Sequence, residues 1–391
     1  MQDKLLNARI FPALVIGFLV YFCFNASRVT TGIYIAFNQH SPVQLGLAMA
    51  LYSVAPVFLA VRIGEMASRL GPGSLLVKGV ALFLIGLGVQ AFVESIVFVF
   101  LGALITGVAF TTLQIVLQLH IGESSVPQLR VRNFGYFSMA QSAANSIAAI
   151  MAGFISGQFG LHVPFWVNAG IAIICAMLVY KNRIYFGFTP TTESTNIYRT
   201  EPLTQLITRR DVLITLIAGA LLAMAWDLHS FIVPFVSDAA GLNPQRVGIV
   251  FGIFSASTFV VRIALPGISK FASNSSIVKA SLASVGFCFL LYPWWMNYVS
   301  LSIFAAILGL ALGTAQPSLL ALIHDIVPEK DLGRIIGFRT VLLNVGATVW
   351  PILFGISGAT ALTVLLVIAG TLIFMFGLCF PTLNGKGPNT Y

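Results

Sequence analysis

The sequence predicts an all-α membrane protein whose twelve transmembrane helices form two pseudo-symmetric six-helix bundles. Three observations lead there. First, of 391 residues 58% are hydrophobic and 8% charged, and the mean hydropathy is +0.94, which leaves too little polar surface to cover a soluble globule. Second, apolar runs of about twenty residues, the length a helix needs to cross roughly 30 Å of hydrocarbon, recur along the whole chain. Third, Gly17, Phe24, Asn25 and Gly46 return as Gly219, Trp226, Asp227 and Gly248, each 202 residues on. The same offset links Gly107, Thr112 and Gln114 to Gly309, Thr314 and Gln316, and Arg132 and Gly135 to Arg334 and Gly337. The chain is a tandem duplication, the sequence mark of a fold built from two copies of one unit.

The spans follow from the apolar runs in order. The first half holds residues 11–36, 44–61, 75–93, 96–121, 133–157 and 163–180, and the second holds 212–236, 246–264, 276–295, 299–322, 335–356 and 359–380. With the N-terminus in the cytoplasm, every Lys and Arg falls on that side except Arg246, outside, and Arg28 and Arg339, within spans. Basic residues flanking spans are retained on the cytoplasmic face, so the bias sets the topology and places both termini there. The formal net charge of +9 is thus an insertion signal, and nucleic acid is not an expected partner. Residues 1–9 are short and polar and lack the layout of a cleavable signal. Cys23, Cys175, Cys288 and Cys379 fall one to a span and read as small core residues, with no metal site or disulfide framework.

Residues 1–180 therefore form an N-terminal bundle and 212–391 a C-terminal bundle, joined by a polar cytoplasmic linker over 181–211. Six spans is an even number, so both halves enter the membrane with the same polarity and their symmetry axis runs along the membrane normal, the parallel-repeat arrangement of some transporters. Between spans 2 and 3, Gly64, Glu65, Met66, Ala67, Ser68, Arg69, Leu70, Gly71, Pro72 and Gly73 place two glycines around a basic residue. A weaker copy, Ser269, Lys270, Phe271 and Ala272, lies between spans 8 and 9. With six plus six spans and a long central loop, this pattern resembles the major facilitator superfamily over essentially the full chain. It departs from that family's loop signature at Ser68, where an Asp is usual, and at Pro72 and Gly73, where a basic pair is usual. The resemblance implies a monomeric transporter in the lipid bilayer of the plasma membrane, the inner membrane if the source is bacterial.

Two further departures bear on the subfamily. Drug and proton antiporters of this superfamily usually carry an Arg before a Gln-Gly in span 4, where this chain has Ala103 ahead of Thr106 and Gly107. They also carry a Gly-Pro in span 5, and Gly135 to Gly153 contains none. Multidrug or metabolite efflux is thereby disfavoured and stays as an alternative, beside an uncoupled facilitator.

Ionised groups at mid-membrane cost at least a few kcal/mol and mark functional sites by default. Tyr21, Asn25 and Arg28 form one polar stripe on span 1, and Asp227 takes the Asn25 position of span 7, with Ser230 at that of Arg28. The resemblance implies that spans 1 and 7 face each other across a central cavity, which brings Arg28 and Asp227 within reach. Asp227, the one carboxylate deep inside a span, is the expected proton-coupling group; a static buried ion pair is the competing reading. Other helical stripes supply substrate-binding candidates: Gln114 and Gln118 on span 4, Gln141 and Asn145 on span 5, and Asn344 on span 11. In lipid such amides must face protein or a water-filled cavity, though any one of them can serve as interhelical glue. Gln316 precedes Pro317, which frees the Gly313 carbonyl, and Arg339 can either bind an anionic group or join the cytoplasmic charges. His229 points about 160° away from Asp227 and reads as a packed interhelical histidine.

At the inner face Glu123 and Asp325 are repeat mates near Arg132 and Arg334. The resemblance implies a cytoplasmic gate of such charges, here also including Arg62, Arg69, Arg262 and Lys270. No nucleotide-binding loop is present, so the driving force is an ion gradient or the solute's own. No nucleophile, base and metal-ligand set gathers at one depth, so an enzyme is not expected, nor is any cofactor. The expected activity is secondary transport of a small organic, anionic solute by alternating access, coupled to protons.

Overall fold

The computed structural model describes residues 2–70, 72–92, 95–125, 127–182, 186, 203–327 and 329–383. Among them there are helices and no strands. The first half comprises α1 (Gln2–Phe37), α2 (Pro42–Leu70), α3 (Pro72–Ala91), α4 (Ile96–Ser124), α5 (Pro127–Phe159) and α6 (Val163–Asn182). After a short α7 (Leu203–Thr208) come α8 (Arg210–Phe235), α9 (Pro244–Ile268), α10 (Asn274–Leu291), α11 (Tyr298–Ile326) and α12 (Glu329–Cys379). Eleven segments are long and apolar enough to cross a membrane. The twelfth, α5, has 33 residues, about 50 Å at 1.5 Å per residue, and misses that threshold because Gln141, Ser142 and Asn145 dilute its hydropathy. Two spans share α12, Ile335–Ser357 and Ala361–Cys379, and the chain reverses direction between them, as the sequence places a break there. Within the linker, α7 buries Leu206 against Val212 and Leu216 of α8.

Helix boundaries obey the duplication. Asn297 caps α11 through its side-chain oxygen on the Ser300 N–H, and its repeat mate Ser95 caps α4 on the Val97 N–H. Asn243 caps α9, and its mate Ser41 exchanges hydrogen bonds with Gln44 at the start of α2, a capping box. Even the left-handed turn residue recurs, as Gln39 at φ 56° and Gly241 at φ 60°. The side-chain skeleton repeats as well. Buried Ser27 donates to Gln90 at 2.6 Å, and their mates His229 and Tyr292 pair at 2.7 Å. Burial of a polar group without a partner costs about 1–3 kcal/mol, and each half ties its first span to its third by one buried side-chain hydrogen bond. Cys23, Cys175 and Cys288 are buried, whereas Cys379 is exposed, contrary to its reading as a core residue.

An even number of spans leaves the chain ends on one face, the terminal side, and the turns after α1, α3, α5, α8 and α10 on the far side. There the halves close on each other through two repeat-related glycine contacts. A methyl group on Gly248 would lie 2.7 Å from the Ala149 carbonyl, and one on Gly153 would lie 2.8 Å from the Pro244 carbonyl. Their mates do the same: Gly46 abuts the Pro351 carbonyl, and a methyl on Gly355 would lie 2.6 Å from the Pro42 carbonyl. Small residues let helix backbones approach this closely. On the terminal side the repeat mates Gly135 and Gly337 have open space around them.

Candidate functional site

Between the halves, walled off from the far side by the glycine contacts, lie two adjoining spaces. The smaller, about 30 Å³, is bounded by Asn25 and Arg28 of α1, Ser230 of α8 and Phe251 of α9. The larger, about 270 Å³, is bounded by Tyr21, Gln114, Gln141, Asn145, Arg262 and Gln316. Trp226 and Ser255 border both.

Arg28 and Asp227 span the halves. The Arg28 Nη2 donates to Asp227 Oδ1 at 3.5 Å, with side-chain exposures of 18% and 9%. This is the long limit of a hydrogen bond, so the attraction is mainly that of charge for charge in a poorly solvated place. Behind the guanidinium, the Phe24 ring centre lies 6.0 Å away and stacks on Phe110 at 3.7 Å. Asn25 donates from Nδ2 to the Asn145 carbonyl at 2.8 Å and fixes α1 on α5. Tyr21 packs edge-on to Phe110 and Phe137, with its hydroxyl toward the Gln114 and Gln141 amides. The stripe read from the sequence therefore does border the central space.

Four sequence-derived substrate candidates do not border either space, and Asp227, which Arg28 reaches, is one of them. Gln118 is exposed. Asn344 donates from Nδ2 to the Thr340 carbonyl of its own helix at 2.9 Å, the local bond that an i−4 oxygen always offers. Arg339 is buried one layer back and donates to Gln316 Oε1 at 2.5 Å. Its position repeats that of Phe137, the ring over Gly17 in the first half; correspondingly, a methyl on Gly219 would sit 3.6 Å from Arg339 Nε.

The gate set is also redistributed. Arg262 does not join the charges at the terminal face, because its side chain runs up α9 into the larger space and donates to Ser142 Oγ at 2.7 Å and Ser138 Oγ at 3.1 Å. Arg62 and Lys270 are exposed, and Asp325 borders a terminal-side groove with Ser269 and Leu322. The side chains of Arg69, Glu123, Arg132 and Arg334 lie outside the described residues. His229 is fully buried, with Nδ1 on the Tyr292 hydroxyl and its ring against Phe254. No group of three or more metal-ligating side chains occurs among the described residues.

Sequence reasoning missed Trp226 as a wall residue and the α9 stripe of Ser255, Thr258 and Arg262. That stripe has the spacing i, i+3, i+7 of a single helix face, the signal that revealed the others.

A family profile described as Major Facilitator Superfamily matches residues 13–351. The tetracycline resistance protein, class B, of Escherichia coli is 25% identical over 344 residues, covering 80% of this chain and 78% of that protein. The inner membrane transport protein YajR of Escherichia coli strain K12 is 24% identical over 38% of this chain and 32% of its own. Among solved structures, the peptide transporter POT in complex with sulfate superposes with a TM-score of 0.78 at 12% identity, covering 97% of each chain. The nucleoside transporter NupG superposes with a TM-score of 0.75 at 16% identity, covering 95% of this chain and 98% of its own.

Proposed function

Since the chain belongs to the Major Facilitator Superfamily, we propose that it is a proton-coupled secondary transporter of a small organic anion, working by alternating access around the central space. The observation that carries this reading is the Arg28–Asp227 pair, which ties α1 of one half to α8 of the other beside that space. A proton on Asp227 cancels one charge of the pair and loosens the tie. Burial disfavours the charged carboxylate while Arg28 favours it, so a small change in either, such as arrival of a solute, tips the balance. That differential effect on two states is what coupling requires. The glycine seal on the far side then corresponds to one end of the cycle, with the solute path open toward the termini.

The test is proton movement. Proteoliposomes with a trapped pH dye are challenged with organic acids, sugars, amino acids and lipophilic cations, and a coupled solute changes the internal pH. Asp227→Asn is expected to abolish the pH change and gradient-driven accumulation while solute exchange persists. Accumulation that survives with its pH dependence intact would remove the coupling role.

Drug efflux by proton exchange is the second reading, supported by the likeness to the tetracycline resistance protein over most of the chain. Expression in a pump-deficient host, with tetracycline susceptibility as the readout, separates it from the first.

A further inference from the structure

Several of the groups that face the larger space present hydrogen-bond donors to it. Arg262 can only donate, and it spends its Nη1 on Ser142 Oγ at 2.7 Å, Ser138 Oγ at 3.1 Å and the Ser138 carbonyl at 3.5 Å. Its Nε has no partner. A serine oxygen that accepts from an arginine still has its own hydrogen to give, and Ser142 borders the space. Gln316 follows the same logic. Its Oε1 already accepts from Arg339, which leaves its NH2 to donate into the space it borders.

Charge adds to this. Among the described residues no carboxylate pairs with Arg262 or Arg339, whereas Arg28 has Asp227. A partly buried cation without a counter-charge is costly to keep. We propose that Arg262, not Arg28, receives the anionic group of the solute, with Ser142 and the Gln316 NH2 as co-donors, and that the solute carries a single carboxylate or comparable oxyanion. This deepens the reading of the central space as the solute site and rests on it. A planar guanidinium fork suits a carboxylate better than an ammonium does. The volume of about 270 Å³ lies just below the usual range of roughly 300–1,000 Å³ for drug-sized ligands and accommodates a solute of metabolite size. Tyr21 of α1 and Trp226 of α8 add aromatic surface to the lining from the two halves. Because Arg262 sits on α9 and its serines on α5, an anion that draws the guanidinium away also loosens a tie between the halves.

The experiment needs no knowledge of the solute. In a protein freed of its native cysteines, Ser255→Cys places one thiol on the wall of the space. Its labelling rate is measured with an anionic sulfonatoethyl and a cationic trimethylammonioethyl methanethiosulfonate, each divided by the rate with a small free thiol. The normalised anion-to-cation ratio is expected to be about tenfold or more, as a nearby unit charge at intermediate dielectric dictates. Arg262→Gln should bring it close to one, and Arg262→Lys should keep it, which controls for folding. A ratio below one, a ratio unmoved by Arg262→Gln, or failure of both reagents to reach position 255 would overturn the proposal. No gradient enters the measurement, so loss of proton coupling at Asp227 leaves it intact and the two readings fail separately.

Discussion

Gly248→Ala should force the far side open. A methyl group there would lie 2.6 Å from the Gly153 Cα and 2.7 Å from the Ala149 carbonyl oxygen, against about 3.5–4.0 Å for relaxed carbon contacts. The two helices must therefore part by roughly 1 Å, and both obstacles are backbone, which cannot rotate away. Overpacking of this kind costs about 1–3 kcal/mol. The cost falls only on the state in which α5 and α9 touch, because separated helices leave the methyl unopposed. The equilibrium between far-side closed and far-side open should then move by about 5- to 150-fold. Spin labels on Phe159→Cys and Asp238→Cys, both exposed at the far side and one in each half, report the separation by pulsed dipolar spectroscopy. Gly170→Ala serves as control, since nothing lies within 4 Å of a methyl group at that position. An unchanged distance distribution in monodisperse Gly248→Ala protein would refute the reasoning, as would an equal shift in the control.

Three further outcomes are expected. Arg28→Gln leaves the Asp227 carboxylate buried and alone, so it should lower stability by about 3–5 kcal/mol, and adding Asp227→Asn should recover most of this in thermal unfolding; equal melting of single and double variants would show that the pair is not coupled. Tyr292→Phe strands His229 Nδ1 and should cost about 1–3 kcal/mol, measurable in the same assay, with the pH dependence of transport unaltered. Neutralising Glu123 and Asp325 together should favour the terminal-side open state and speed labelling of Ser255→Cys from that face, and an unchanged rate would remove both acids from the gate.

The spans, the duplication and the polar stripe of α1 were legible because each is periodic, and periodicity survives in a single sequence. Asp227 was legible because a carboxylate in a long apolar run has few places to be. Depth was harder. Arg262 lies near the end of its span, where positive charge is the common topological flank, and only the structure reveals that its side chain points up into the central space toward Ser138 and Ser142. Asn344 failed for the opposite reason. Its helical spacing with Thr340 marks a polar face, but the same spacing lets its amide reach the Thr340 carbonyl, and a sequence cannot tell the two uses apart. Arg339 shows what divergence of copies hides: the skeleton places a ring at Phe137 and a cation at its mate, and no rule of composition assigns the exchange.

The far-side seal is made by hydrogen atoms of glycine against carbonyl oxygens, at Gly46 with Pro351, Gly355 with Pro42, Gly248 with Ala149 and Gly153 with Pro244. None of these groups titrates and none carries net charge, so neither pH nor ionic strength in the compartment on that side has a handle on the seal itself. Salt at physiological strength screens interactions between exposed charges over distances beyond about 8 Å, and the charges proposed to hold the opposite gate, Arg62, Lys270 and Asp325 among them, are exposed. The seal contacts themselves thus hold no charge for the medium to act on, whereas the gate proposed for the opposite face is built of exposed charges.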